Sequence, residues 1–151
     1  MSEIFLLPLS QVQPSQLYIS SVKLVQIQAW WCPRRVEKLS PIPVVQLDGI
    51  TVATDGHTRA FAAYRAGLRS IPVVWDADEL DLDAYRICVN WCLAEGIRTI
   101  MDLEGRVVAP LVYTELWLDR CHKMHEELAK TAVRGKAPKP GPPTLRQHES
   151  L

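Results

Sequence analysis

Apolar positions recur with two different periods along this chain, and the change of period falls near residue 76. Before it, short apolar runs are separated by prolines and turn residues, the signature of strands; after it, apolar residues return at three and four, the signature of helices. Ile4-Phe-Leu-Leu is stopped by Pro8 and predicts an opening strand. Residues 10–18 form an irregular connection, with Pro14-Ser15 as a turn signal and Leu17 and Tyr18 as anchors on the core. Residues 22–31 fit a helix opened by Ser20 or Ser21, with Leu24, Ile27 and Trp31 on one face. After Pro33, residues 34–39 allow one or two short helical turns. Pro41 and Pro43 bracket the entry to Val44-Val45-Gln46-Leu47, and Asp48-Gly49 is a strong hairpin signal, so residues 42–54 are expected to form a β-hairpin. A helix over 57–66, closed by Gly67, and a strand over 71–75 complete a small mixed α/β unit. Pro72 cannot donate to a ladder, which places it at the start of that strand or at the sheet edge.

The second half reads as all-helical. Asp81 or Asp83 can cap a helix running to about residue 95, with Ala84, Ile87, Cys88, Trp91 and Cys92 on one face and Gly96 as its stop. A short helical turn within 97–103 is broken by Glu104-Gly105. Tyr113, Trp117, Cys121, Met124 and Leu128 recur at four, four, three and four, predicting the longest helix over 111–130. The two long helices are expected to pack on each other and cover an open side of the sheet. The stretch Gly-Lys-Ala-Pro-Lys-Pro-Gly-Pro-Pro-Thr after Arg134 has nothing to bury and predicts a disordered tail. The expected organisation is an α/β region over 1–76, a helical extension over 77–133 and a tail over 134–151.

Composition changes this picture little. The chain has 151 residues, 48% of them hydrophobic, enough for one ordinary core. Seventeen basic residues balance seventeen acidic ones, so no global polycation argues for nucleic acid. Their distribution matters more. Residues 1–75 hold seven Lys/Arg against four Asp/Glu, residues 76–127 hold five against twelve, and the remainder holds five against one. An anion-binding surface therefore belongs on the first half, and the acidic helical half is a candidate surface for a protein partner. Four cysteines without a CxxC pair read as buried thiols. The absence of a signal peptide and of a long apolar span predicts a soluble, cytoplasmic chain with no membrane partner.

The richest chemistry lies at residues 54–59, Thr-Asp-Gly-His-Thr-Arg, where the hairpin meets the helix. In the plain structural reading, Asp55 is the N-cap, Gly56 a turn residue and Arg59 a surface partner for an acid. The functional reading is an anion cradle. Gly56 permits a sharp turn and close approach of a ligand, and the amides of a helix entrance attract phosphate. Arg59 opposes the helix dipole unless an anion arrives to pair with it. Ala60, Ala62, Ala63 and Ala66 let the helix pack closely and hold the junction still.

Pro41-Ile-Pro-Val-Val, Leu47-Asp-Gly, Thr54-Asp-Gly-His-Thr-Arg-Ala-Phe-Ala-Ala and Gly67-Leu-Arg-Ser-Ile-Pro-Val follow in an order and spacing that resemble the ParB/sulfiredoxin superfamily. The resemblance spans roughly residues 4–75 and takes in the segment Leu9 to Tyr18, with its Gln-Pro-Ser-Gln-Leu-Tyr, which is similar to the family's opening strand and its exit. It implies the small mixed-sheet ParB/sulfiredoxin-like fold and a nucleotide-phosphate site. Members of that superfamily bind and hydrolyse CTP, activate a sulfinic acid with ATP, or transfer phosphate from ADP. By resemblance, Gly56, His57, Thr58 and Arg59 would hold phosphates of ATP, ADP or CTP, and Asp55 would orient His57 or a water on Mg2+. The chain departs from the partitioning proteins, which carry Gly-Glu-Arg-Arg here and a helix-turn-helix afterwards. It also departs from sulfiredoxin, whose catalytic cysteine is missing beside the glycine-histidine pair.

The residues thus support phosphotransferase or nucleotide-hydrolase chemistry, with His57 as proton carrier because a free histidine titrates near neutrality. Arg59 would stabilise phosphoryl charge and Glu37 would serve as the acceptor's base. The alternatives are a non-catalytic module in which nucleotide occupancy switches a protein contact, and a ParB-like nuclease or nucleic-acid-binding protein. Lys23, Arg34 and Arg35 either extend a positive rim or are ordinary surface charge. His122 and His125 beside Cys121 are a weak metal candidate, and Trp30 and Trp31 beside Cys32 a weak base-stacking wall. Trp75, Trp91 and Trp117 are expected in the core.

Overall fold

The computed structural model describes residues 3–135. The opening strand β1 (Ile4–Pro8) runs into a single 3-10 turn, Leu9–Gln11, and an extended strap follows to the two-residue strand β2 (Ile19–Ser20). Helix α1 (Ser21–Trp30) starts at Ser20 and buries Leu24 and Ile27, two of the three residues on its predicted face; the third, Trp31, is buried as its C-cap. A 3-10 segment, Pro33–Lys38, leads to the hairpin β3 (Ile42–Leu47) and β4 (Ile50–Ala53). Its turn has Asp48 at φ 53° and Gly49 at φ 81°, the two consecutive positive angles that match the twist of paired strands. Helix α2 (His57–Arg65) and strand β5 (Ser70–Trp75) complete the α/β unit.

The sheet order is β1-β5-β3-β4, with β1 antiparallel to β5, β5 parallel to β3, and β3 antiparallel to β4. Pro72 therefore stands in a central strand rather than at an edge. The ladder to β3 begins only at Val73, one residue later, so the missing N–H falls outside that ladder. Val44, Val52, Ile71 and Val73 on the sheet are fully buried, as are Ala60, Phe61 and Ala63 of α2. Small alanine side chains let α2 pack closely against α1. The outer edge of β4 is occupied by the strap: Gln13 N donates to Thr51 O at 2.9 Å, and Ala53 N donates to Gln13 O at 3.0 Å.

The extension begins with α3 (Leu82–Ala94), whose N-cap Asp81 accepts from Ala84 N. Ala84, Cys88 and Cys92 of its predicted face are buried. A 3-10 turn, Ile100–Leu103, is held by a capping box between Thr99 and Asp102 and packs on α2. The second half is not all-helical, because β6 (Val107–Val108) pairs in parallel with β2. Two residues carry too little periodicity to be read as a strand. The last helical run is α4 (Pro110–Tyr113), a π-helical turn over Thr114–Leu118, and α5 (Asp119–Gly135). The π turn explains the spacing of four and four. Asp119 N bonds to Thr114 O, and the wider turn keeps Tyr113, Trp117 and Cys121 on one buried stripe. α3 and α5 pack together through buried Cys88 and Cys121. One continuous core runs from the sheet into both helices, so the chain is a small mixed α/β domain with a C-terminal helical extension. The expected tail falls almost wholly on 136–151, outside the described residues.

Trp75 departs from its expected core place: it is 45% exposed and lies over Phe5, with ring centroids 5.4 Å apart. Trp117 is buried and meets the half-buried Trp91 edge-on. Trp30 is exposed, whereas Trp31 is buried and donates to Arg35 O, so the two form no common wall.

Candidate functional site

The chain reaches α2 through Thr54, Asp55 and Gly56. Gly56, not Asp55, is the N-cap, with φ 74° and ψ 21° in the left-handed region. Asp55 Oδ1 instead accepts from Gly56 N at 2.8 Å. The first backbone bond of the helix runs from Ala60 N to Gly56 O. That geometry turns the chain sharply, as its glycine predicts, and brings His57, Thr58 and Arg59 into the first turn, where all three are buried.

Arg59 is only 4% exposed. Its guanidinium folds back over the entrance, and Nη1 donates to Ser40 O at 3.1 Å. A Cβ added to Gly56 would stand 2.7 Å from Arg59 Nη2 and 2.9 Å from Ile42 Cδ1. Glycine is therefore required twice, for its backbone angle and for the space the guanidinium fills. A cation is thus held against the positive end of a helix, in a buried setting.

His57 is the second departure. Its Nε2 accepts from Ser15 N at 3.0 Å, which places the proton of the neutral ring on Nδ1. Burial, reinforced by the nearby Arg59 charge, lowers its pKa to about 3. The near-neutral titration on which its proton-carrying role rested is absent in this arrangement. His57 anchors the strap through an acceptor nitrogen. Glu37 is also elsewhere. It is exposed on the 3-10 segment, lines a groove with Ile4, Leu6 and Pro72, and makes no hydrogen bond or ion pair among the described residues. No group of three or more His, Cys, Asp or Glu able to hold a metal occurs among the described residues, Asp55 and the His122–His125 pair included. His122 instead pairs with Glu126 at 3.1 Å on the exposed side of α5. Arg34 and Arg35 are exposed, and Lys23 Nζ turns to the Tyr113 ring, 6.0 Å from its centroid.

Further polar residues surround the entrance, most of them from the strap. Gln13, Ser15, Gln16 and Thr54 are all buried. Ser15 Oγ donates to Ala53 O, Gln13 Nε2 donates to Ile97 O, and Gln16 Nε2 donates to the Tyr113 hydroxyl. Thr54 Oγ1 donates to Asp76 Oδ2 at 2.6 Å, and the fully buried Tyr85 donates its hydroxyl to Thr54 O at 3.0 Å. The strap, the junction and the helical extension are thereby joined in one buried hydrogen-bonded layer, which fixes the α2 entrance from both sides. Pro14-Ser15 signalled a turn, but nothing in the sequence shows that two neighbouring glutamines are buried. Their partners lie as far as 97 positions away.

No helix among the described residues is long and apolar enough to cross a membrane. No protein-family model matches this sequence. No curated protein matches it either. Among solved structures, the protein Atu1540 from Agrobacterium tumefaciens is similar with a TM-score of 0.45 and 15% identity. The similarity covers 72% of this chain and 51% of that one, so this chain spans about half the length of the structure it matches.

Proposed function

We propose that the entrance of α2 binds the phosphates of a nucleotide, and that the chain is a nucleotide-binding protein of the ParB/sulfiredoxin type rather than a phosphotransferase. One observation carries this reading: a buried guanidinium is folded over a left-handed glycine at a helix N-terminus. A phosphate at this entrance can accept from the first-turn amides and from the guanidinium together. Hydrogen bonds between a guanidinium and a phosphate are charge-assisted and can be bidentate, about twice as strong as neutral ones. The order of hairpin, glycine junction and alanine-rich helix, which resembles that superfamily in sequence, supports the same ligand class. Turnover is not part of the proposal, because His57 holds the strap as a neutral acceptor and Glu37 lines a different groove.

Calorimetric titration with ATP, ADP, CTP and pyrophosphate, each with and without Mg2+, tests it. Saturable binding is expected, weakened about tenfold or more in Arg59→Ala, the loss of a charge-assisted hydrogen bond. Arg59→Lys keeps the charge and separates loss of binding from loss of folding, which thermal melting reads independently. Failure of every one of these compounds to bind the folded wild type at about millimolar concentration, some 4 kcal/mol of affinity, would reject the assignment.

A further inference from the structure

Arg59 is 4% exposed, so a phosphate reaches its guanidinium only when a covering segment moves. Two of its neighbours are fixed: Gly56 in the α2 junction, and Ile42, fully buried in the inner strand β3. A third, Ser40, is exposed and lies on the connection from α1 to β3. That connection is tied down far less. None of the six residues of its 3-10 segment, Pro33–Lys38, is buried. Runs of this kind rarely exceed three or four residues, and this one is interrupted by a non-helical Arg35. Its backbone bonds stay within a turn, such as Arg35 N to Cys32 O and Leu39 N to Val36 O. Among the described residues, no backbone bond joins residues 32–39 to the sheet. A groove of about 310 Å³ separates Val36, Glu37 and Leu39 from Ile4, Leu6 and Pro72. Arg34, Arg35, Glu37 and Lys38 form no ion pair among the described residues, so lifting the segment breaks none. Three ties hold it. Leu39 is 2% exposed, the buried Trp31 donates to Arg35 O at 3.1 Å, and Arg59 Nη1 donates to Ser40 O at 3.1 Å.

We propose that residues 32–40 are a gate on the α2 entrance, latched by Leu39 and by the Arg59–Ser40 bond, and that phosphate binds when the gate is open. The gate presupposes the phosphate site at that entrance and adds its regulation. Segments with few buried contacts and no ladder to neighbouring elements open locally, at a lower cost than global unfolding. Only the open form binds, so apparent affinity is the intrinsic affinity scaled by the open fraction. Weakening the latch at Leu39 therefore tightens binding, the reverse of what a purely structural role for that side chain gives.

The test uses the full chain, with Leu39→Ala and the milder Leu39→Val, each checked for folding by thermal melting. Hydrogen exchange of the ligand-free wild type is followed in peptides over 32–41 and over β5, at increasing low urea. Amides of 32–40 should exchange through an opening that urea barely changes, while β5 exchanges only on global unfolding. The same urea dependence for both overturns the gate, whatever the ligand does. Calorimetric titration with pyrophosphate should show Leu39→Ala binding about tenfold or more tightly than wild type, and Leu39→Val tighter by a smaller factor. Unchanged or weaker binding by the folded variants overturns the gate and leaves the phosphate site standing. No binding by any of the three proteins at about 1 mM pyrophosphate rejects the site and the gate together.

Discussion

Gly56→Ala isolates the feature that shapes the α2 entrance. Two separate penalties add at this position. The left-handed backbone, φ 74°, costs an alanine about 1–2 kcal/mol. The new Cβ also falls 2.7 Å from Arg59 Nη2 and 2.9 Å from Ile42 Cδ1, so the ends of both side chains must shift. Breaking the Arg59 bond to Ser40 O removes a hydrogen bond from a charged donor, about 1.5–3 kcal/mol. The sum is about 2.5–5 kcal/mol. Gly67 supplies the control: its φ is 92°, yet nothing lies within 4 Å of an added Cβ. Gly67→Ala should therefore show the backbone penalty alone, about 1–2 kcal/mol. Urea unfolding of both variants gives the comparison directly, provided the slopes agree. Ile42→Val removes Cδ1, so the Gly56→Ala penalty should shrink in that background. Equal losses for Gly56→Ala and Gly67→Ala would refute the reasoning, since the guanidinium would then not occupy the space.

Three further outcomes are expected. His57 has a folded-state pKa of about 3, below its unfolded value near 6.5, so the unfolded chain binds the extra proton between those limits. Its contribution is present in full above about pH 6.5 and declines as pH falls toward 3, by up to ~1.4 kcal/mol per pH unit. Urea midpoints at several pH values should show His57→Gln losing that slope relative to wild type, and parallel curves would count against it. Tyr85→Phe should cost about 1–2 kcal/mol in the same assay, because Thr54 O loses a fully buried donor; a neutral result would mean that this bond does not tie the extension to the junction. Among the four thiols, exposed Cys32 should react rapidly with a disulfide reagent. Cys88, Cys92 and Cys121 should react only on unfolding, since the hydrogen bond with Cys121 and burial push Cys88 up, and burial pushes Cys92 to about 12. Fast reaction of more than one thiol would contradict the packing of α3 on α5.

Local pattern was enough to place most elements. The hairpin follows from Asp48-Gly49, a dipeptide able to take the positive φ values its turn needs. α2 follows from glycine at both ends, and α3 from Asp81 and Gly96; each signal acts within a turn or two of the chain. The junction at 54–59 was legible for the same reason, since its turn and its helix entrance are local events. What the junction does depends on contacts that sequence separation hides. Strap residues 13–16 turn His57 from a proton carrier into a neutral acceptor, and Ser40 draws Arg59 over Gly56. Pro72 finds a central strand because the β3 ladder starts one residue beyond it. The pairing of β2 with β6 joins residues nearly ninety positions apart, and two-residue strands have no period to read. By itself, the sequence determined the elements, their order and the chemistry available at the junction, because each of these is decided by neighbours along the chain. Only the tertiary structure decided which of those groups are charged, buried or turned away, because solvation and partners come from segments brought together by the core.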